Sequence, residues 1–222
     1  SPALDRLAEE ALVFDDASAS AGWTKPSVPS FLTGTYPIQH GVYEGSTQTI
    51  DGKTSHVLSE EAVTLAEVFA AGGWRTAAFV KNAQLERGNG FEQGFELYRD
   101  QAGDAREIRW QALDWIDAQA GGEPFFLYLH LLDAHWPYPI PDEAALRFVA
   151  REDLAAFRAE DWKALRDAIN DGERVPSAAE LELVLALYDA GIRYVDDELG
   201  LLFAGLERRG LWQDTLVAVI AD

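Results

Sequence analysis

Cysteine and methionine are both absent from the 222 residues. Without cysteine there is no disulfide framework, no thiolate nucleophile and no cysteine-held zinc or iron–sulfur centre. The redox compartment is therefore left open. Long apolar runs are lacking as well. No stretch approaches the roughly 18 apolar residues that a membrane-crossing helix requires. Basic residues are scarce, 18 against 38 acidic ones, which gives a net charge of −20. A general nucleic-acid surface needs a basic stripe, so none is indicated. The acidic excess is spread along the chain and reads as solvated surface. The lysines number only four, Lys25, Lys53, Lys81 and Lys163. The glycine fingerprints of dinucleotide and P-loop sites are missing, and so is the G-x-S-x-G elbow of serine hydrolases. No internal repeat or low-complexity segment stands out.

What is present points to a packed core. Hydrophobic residues make up 48% and charged residues 25%, the balance of one ordinary globular domain or of part of a larger one. The chain opens on SPALDRLAEE, with no initiator methionine and no signal-like segment, and closes on LVAVIAD inside an apparent buried strand. The expectation is a single domain over 1–222 that is the interior of a longer protein.

Apolar spacing predicts a first helix over ALDRLAEEALVF. A polar loop follows, then WTKPSVPSFLTG, a short helix stopped by Gly34, with Pro26 near its start and Thr24 as its candidate cap. SEEAVTLAEVFAAGG is helical, with Ser59 as a possible cap and Gly72–Gly73 as its stop. WRTAAFV reads as a strand and DAREIRWQALDWIDAQAGG as a helix. PFFLYLHLLD is nearly all apolar, as in a central parallel strand buried on both faces. Dense charge marks 143–176 as a helical insertion. SAAELELVLALYDAGIRYVDDELGLLFAGLERRG is a long helix or a pair of helices, and DTLVAVIAD a last strand. Strands alternating with helices predict an α/β sandwich with a mostly parallel sheet.

Open α/β sheets place their sites beyond the carboxyl ends of strands. That rule selects Lys81 and Asn82 after WRTAAFV, Asp133 and His135 after PFFLYLHLL, and Asp222 after DTLVAVIA. Thr24 joins them at a helix start, where free backbone N–H groups favour an anion. A hydroxyl, a lysine, a histidine and a carboxylate suit a tetrahedral anionic group, with a metal to activate the hydroxyl. Each residue also has a plainer reading. Thr24 caps a helix, Lys25 and Lys81 lie in solvent, His135 packs in a proline-rich loop, and Asp222 is only a strand end. His130 reads as a hydrogen-bonded core histidine, His40 and His56 as loop residues and Tyr36 as a packing residue.

The blocks SPALDRLAEEALVFDDASAS, WTKPSVPSFLTGTYPIQHGV, LAEVFAAGGWRTAAFV, GFEQGFELY, FFLYLHLLDAHWPYPIP and YDAGIRYVDDELGLLFAGLERRGLWQDTLVAVIAD occur in this order. Together they resemble the sulfatase family of the alkaline phosphatase superfamily. The resemblance implies a three-layer α/β sandwich, of which this chain is an incomplete piece. That family's C/S-x-P-S-R motif carries the precursor of formylglycine, and Thr24-Lys25-Pro26-Ser27-Val28 stands in its place. Threonine does not yield that aldehyde, and Val28 replaces the arginine. The resemblance implies Thr24 as an unmodified nucleophile, with Lys81 and His135 on the anion's oxygens. It also implies divalent metal ions (zinc, manganese, calcium or magnesium) held in part by Asp222 and Thr24. The expected activity is a metal-dependent hydrolase of a small sulfate or phosphate ester, phosphodiesters favoured, through a covalent threonine intermediate. Two alternatives stand beside it. One is a phosphoryl-group transferase acting on a lipid or cell-wall polymer. The other is a catalytically degenerate sulfatase-like binding protein.

Overall fold

The computed structural model describes residues 1–44, 48–50, 53–119 and 122–222. Its centre is a parallel sheet of three strands, β3 (Arg75–Val80) flanked by β4 (Leu97–Arg99) and β5 (Phe125–His130). Arg75 stands opposite Phe125 and Val80 opposite His130, while Ala77 faces Leu97. Successive strand residues point to opposite faces, and β3 is covered on both. Ala78 and Val80 join Val28, Leu32, Leu58 and Phe91 on one side. Ala77 and Phe79 meet Ile108 and Ala112 on the other. The fold is therefore α/β with a parallel sheet, as the sequence predicts. Two short antiparallel strands, β1 (Gln48–Ile50) and β2 (Lys53–Ser55), form a separate ribbon.

The helices follow from local chemistry. α1 (Pro2–Glu10) begins on a proline, whose missing N–H costs nothing there. The N–H groups of Ala3 and Leu4 donate to the buried Asp196 carboxylate, which anchors α1 on the last helix. α4 (Leu65–Ala71) starts at Thr64, not at Ser59. The Thr64 hydroxyl accepts from Glu67 N–H and Glu67 accepts from Thr64 N–H, a reciprocal capping box. Asp104 and Glu107 do the same for α5 (Ala105–Asp117). The dense charge after residue 141 resolves into α6 (Asp142–Ala145), α7 (Arg151–Ala159) and α8 (Trp162–Asn170). Leu154 and Phe157 pack with Tyr138, Ile140 and Tyr194. The long C-terminal pattern is one helix of 31 residues, α9 (Ala178–Arg208). Its Leu202 and Leu206 lie against Leu113 and Ile116 of α5.

Two strand expectations change. PFFLYLHLLD supplies β5, but among the described strands β5 flanks the central β3, and its residues before His130 are only half-buried. DTLVAVIAD forms no strand. Residues 216–222 pair with none of the described strands, and Leu216, Val219 and Ile220 are exposed at 95%, 52% and 60%. A run this apolar becomes a buried strand only with a ladder partner and cover on its faces, and here it has neither.

Candidate functional site

The site is built where β3 and β5 end. α2 (Thr24–Thr33) stands over that edge, held by Val28 and Leu32 in the core below. Trp23, in extended backbone, is its N-cap, and Gly34 closes it in the left-handed conformation at φ 68°. Thr24 is therefore the first helical residue, not the cap, and no side chain caps this helix. Pro26 has no N–H to offer, and Ser27 N–H already reaches Trp23 O at 3.4 Å. The first N–H groups of any helix have no intrahelical acceptor. Ser30 and Thr33 donate their hydroxyls back to Pro26 O and Pro29 O. Lys25 is not solvated. It is 1% exposed, and burial lowers its pKa.

Asn82 immediately follows Lys81 at the end of β3 and connects this helix start to β5. Its Oδ1 accepts from Gln84 N–H at 2.9 Å, the cap of a single 3-10 turn. Its Nδ2 donates to Thr24 Oγ1 at 3.3 Å and lies 3.2 Å from His130 Nε2. The Nδ1 of His130 is 3.0 Å from Tyr128 Oη. His130 is 9% exposed, and burial, helped by His135, lowers its pKa against the opposing pull of Asp222. Burial likewise raises the Tyr128 phenol, again with a push from Asp222. The Asp222 carboxylate thus lies within electrostatic reach of this pair.

The loop after β5 carries the remaining groups. Asp133 is 1% exposed; its Oδ2 accepts from Ala105 N–H at the start of α5, and its Oδ1 has no hydrogen-bond partner. Burial raises its pKa to about 6, although Ala105 N–H and Lys81 both act to lower it. His135 Nδ1–H donates to Trp136 O, 2.6 Å away, and its backbone N–H donates to Leu132 O. His40, at the end of α3 (Pro37–His40), touches the Ser30 hydroxyl through Nε2.

The structure therefore brings Thr24, Asn82 and His130 into one hydrogen-bonded line, with Lys81 and the 133–135 loop at the same strand ends. No hydrogen bond or ion pair joins Thr24 to Lys81 or His135 among the described residues. His130 is the partner that sequence reasoning left out of the site, and Asn82, selected with Lys81 by the strand-end rule, was given no role. Their signal was position alone, Asn82 beside Lys81 beyond a strand and His130 at the last residue of β5.

The metal expectation is corrected here. Among the described residues, no three histidine, aspartate or glutamate side chains gather closely enough to hold an ion. The geometry gives the reason. Both ring nitrogens of His130 are engaged, by Asn82 and Tyr128, and His135 Nδ1 is engaged by Trp136 O. Asp222 and Thr24 alone make no zinc, manganese, calcium or magnesium site. A metal-dependent hydrolase mechanism is not supported by this donor set. No helix among the described residues is long and apolar enough to cross a membrane.

The family model described as Sulfatase matches residues 1–222. The multifunctional alkaline phosphatase superfamily protein PehA of Trinickia caryophylli is 23% identical over 293 residues, covering 100% of this chain and 56% of PehA. The chain spans about half the length of the curated relatives it matches. In structure it is similar to the phosphonate monoester hydrolase of Agrobacterium radiobacter, with TM-score 0.67, 17% identity and coverage of 96% and 55% of the two chains. It is also similar to the lipoteichoic acid synthase LtaP of Listeria monocytogenes, with TM-score 0.57, 18% identity and coverage of 88% and 43%. These likenesses are of fold.

Proposed function

We propose, from the premise that this chain belongs to the Sulfatase family, that it is a sulfatase-like binding protein for a small sulfate or phosphate ester. The anionic group sits at the start of α2. One observation carries this: the first residue of α2 is a hydroxyl, Thr24, tied by Asn82 to the ends of β3 and β5. The Thr24 hydroxyl faces the anion's oxygens, and the helix dipole favours its charge. Lys81 supplies positive charge and His135 a hydrogen bond to the remaining oxygens. The domain is a three-layer sandwich over 1–222, with 143–176 as a helical insertion onto α9.

A second reading is a phosphoryl-group transferase acting on a lipid or cell-wall polymer. The same Thr24 geometry favours it, as does the fold shared with a synthase of lipoteichoic acid. In that reaction Thr24 Oγ bonds phosphorus as the bond to the departing alcohol oxygen breaks, and the hydroxyl proton leaves on that alcohol.

Two measurements test these readings. Calorimetric titration of phenyl sulfate and phenyl phosphate is compared between the wild type and Thr24→Ala. Loss of one hydrogen bond to a charged group predicts about tenfold weaker binding in the variant. Equal affinity in the two proteins sinks the anion site. Intact mass after incubation with 4-nitrophenyl phosphate reads the second possibility. A gain of one phosphoryl group in wild type that is lost in Thr24→Ala establishes transfer to Thr24, and an unchanged mass in both rejects it.

A further inference from the structure

Three successive backbone N–H groups end on two histidine rings. Val42 N–H donates to His40 Nδ1 at 3.1 Å. Tyr43 N–H and Glu44 N–H both donate to His56 Nδ1, at 3.3 and 3.2 Å. A backbone N–H can only donate, so each Nδ1 accepts and carries no proton. Each ring is then neutral, with its hydrogen on Nε2. The surroundings of Nε2 agree. His40 Nε2 lies 3.0 Å from Ser30 Oγ, and the Ser30 hydroxyl already donates to Pro26 O, so Ser30 accepts from Nε2–H. His56 Nε2 lies 3.8 Å from Glu44 Oε2. Turning either ring over would set a carbon against those N–H groups, so the network fixes the rings as well as the tautomers. The two rings clasp the chain that leaves α3. His40 ties Val42, itself 0% exposed, to α2. His56, the residue after β2, ties Tyr43 and Glu44 and adopts left-handed backbone at φ 61°, uncommon for a residue with a side chain.

We infer that His40 and His56 form a pH-sensitive latch, which fixes residues 42–44 while both rings are neutral and releases them when the rings take a second proton. That proton goes to Nδ1, where it meets an N–H, donor against donor. Burial of His40 acts in the same direction and lowers its pKa, against the opposing pull of Pro26 O. The polar groups that face His40 are Ser30 and the Pro26 carbonyl from α2 and Val42 N–H from its own loop. Among the described residues, the charged group that faces His56 is Glu44. A protonated His56 keeps Nε2–H toward that carboxylate, so it exchanges two backbone bonds for an exposed ion pair of small worth. Latched His40 binds its second proton more weakly than a released histidine, whose pKa is about 6.5. The latch is therefore whole above about pH 7.5 and weakens as pH falls through about 6.5. It needs no ligand and does not depend on the anion site proposed above.

The test reads amide exchange at residues 42–44 in the full chain, corrected for the intrinsic rate at each pH and compared with β3. From pH 8 to pH 5 the protection of Val42, Tyr43 and Glu44 is expected to fall by roughly tenfold, while that of β3 holds. The double variant His40→Asn, His56→Asn keeps the latch without the switch. Asparagine Oδ1 stands near the place of Nδ1, accepts the same N–H groups and takes no proton. Asparagine also tolerates the left-handed backbone at position 56. The fall in protection is expected to vanish in this variant. Nitrogen-15 spectra of the wild-type histidine rings at pH 8 are expected to show Nε2–H for both. An Nδ1–H tautomer at either ring, level protection at 42–44 from pH 8 to pH 5, or a fall that persists in the double variant overturns the inference. A double variant that does not fold leaves the decision to the wild-type tautomers and exchange profile.

Discussion

Asp133 is a carboxyl 1% exposed beside the site, with one oxygen bonded to Ala105 N–H and the other unpartnered. Removal from water disfavours its charged form and raises its pKa to about 6. The folded value thus lies above the unfolded value of about 3.9. Between the two, the folded state binds more protons, so stability falls as pH rises. The contribution is full below about pH 4 and gone above about pH 6.5, a change on the order of 3 kcal/mol. Asn in its place offers the same acceptor to Ala105 N–H and carries no charge. Urea denaturation of Asp133→Asn is expected to show a flatter pH profile from 4 to 6.5 and greater stability than wild type at pH 7.5. A wild-type slope retained in the variant would assign that pH dependence to other carboxyls. At this scale the sequence was uneven. Thr24 was visible through its helix start and its neighbours in the motif. Lys25 was misplaced in solvent, because nothing in one lysine's identity says which side of a helix start it occupies. Asn82 stood among the candidates beyond the strand end, but an amide's role lies in which end it turns to whom, and that is not written in residue type.

Elements reach the site through close backbone contact. Gly191, in the middle of α9, lies where a Cβ would stand 2.8 Å from Asp133 O and 2.9 Å from Ala134 Cα. Backbone atoms give way poorly. Gly191→Ala is expected to cost about 1–3 kcal/mol by overpacking, less the roughly 1 kcal/mol that alanine gains as a helix former. The displaced 133–135 loop should also weaken phenyl sulfate binding. Gly205→Ala, on the same helix, would press on the terminal methyl carbons of Leu113, 2.8 and 2.9 Å away. Those carbons belong to a flexible side chain, so its stability loss should be smaller and its anion affinity unchanged. Paired denaturation and titration curves check both; equal effects from the two would remove α9 from the site's support. Most elements were legible, because β3, α5 and α9 combine long periodic patterns with strong punctuation. The misses have separate physical causes. The α4 cap went to Thr64 rather than Ser59, because the capping box with Glu67 satisfies both backbone N–H groups. β4 is only three residues long, Leu97–Arg99, too short for period-two alternation to register. The 216–222 segment has strand composition but no ladder, and a ladder is a tertiary property.

Across the whole molecule, a net charge of −20 pushes the folded chain apart. Ion pairs among the described residues offset some of it, and most of them are surface contacts of small individual worth. The exception in depth is Glu198, 7% exposed, which bridges Arg106 and Arg109 between α9 and α5. Screening shortens the range of the repulsion from about 10 Å at 0.1 M salt to about 3 Å at 1 M. The melting temperature is therefore expected to rise over that interval in NaCl, and a fall in scanning calorimetry would mean that the ion pairs outweigh the repulsion. The same screening acts between molecules. Leu216, Val219 and Ile220 present an apolar run that no described strand pairs. In dilute buffer like charge holds two copies of that run apart, and in concentrated salt the barrier falls. Conditions that tighten the fold are thus those in which its bare strand sequence can template another, so the colloidal optimum lies at lower ionic strength than the thermal one.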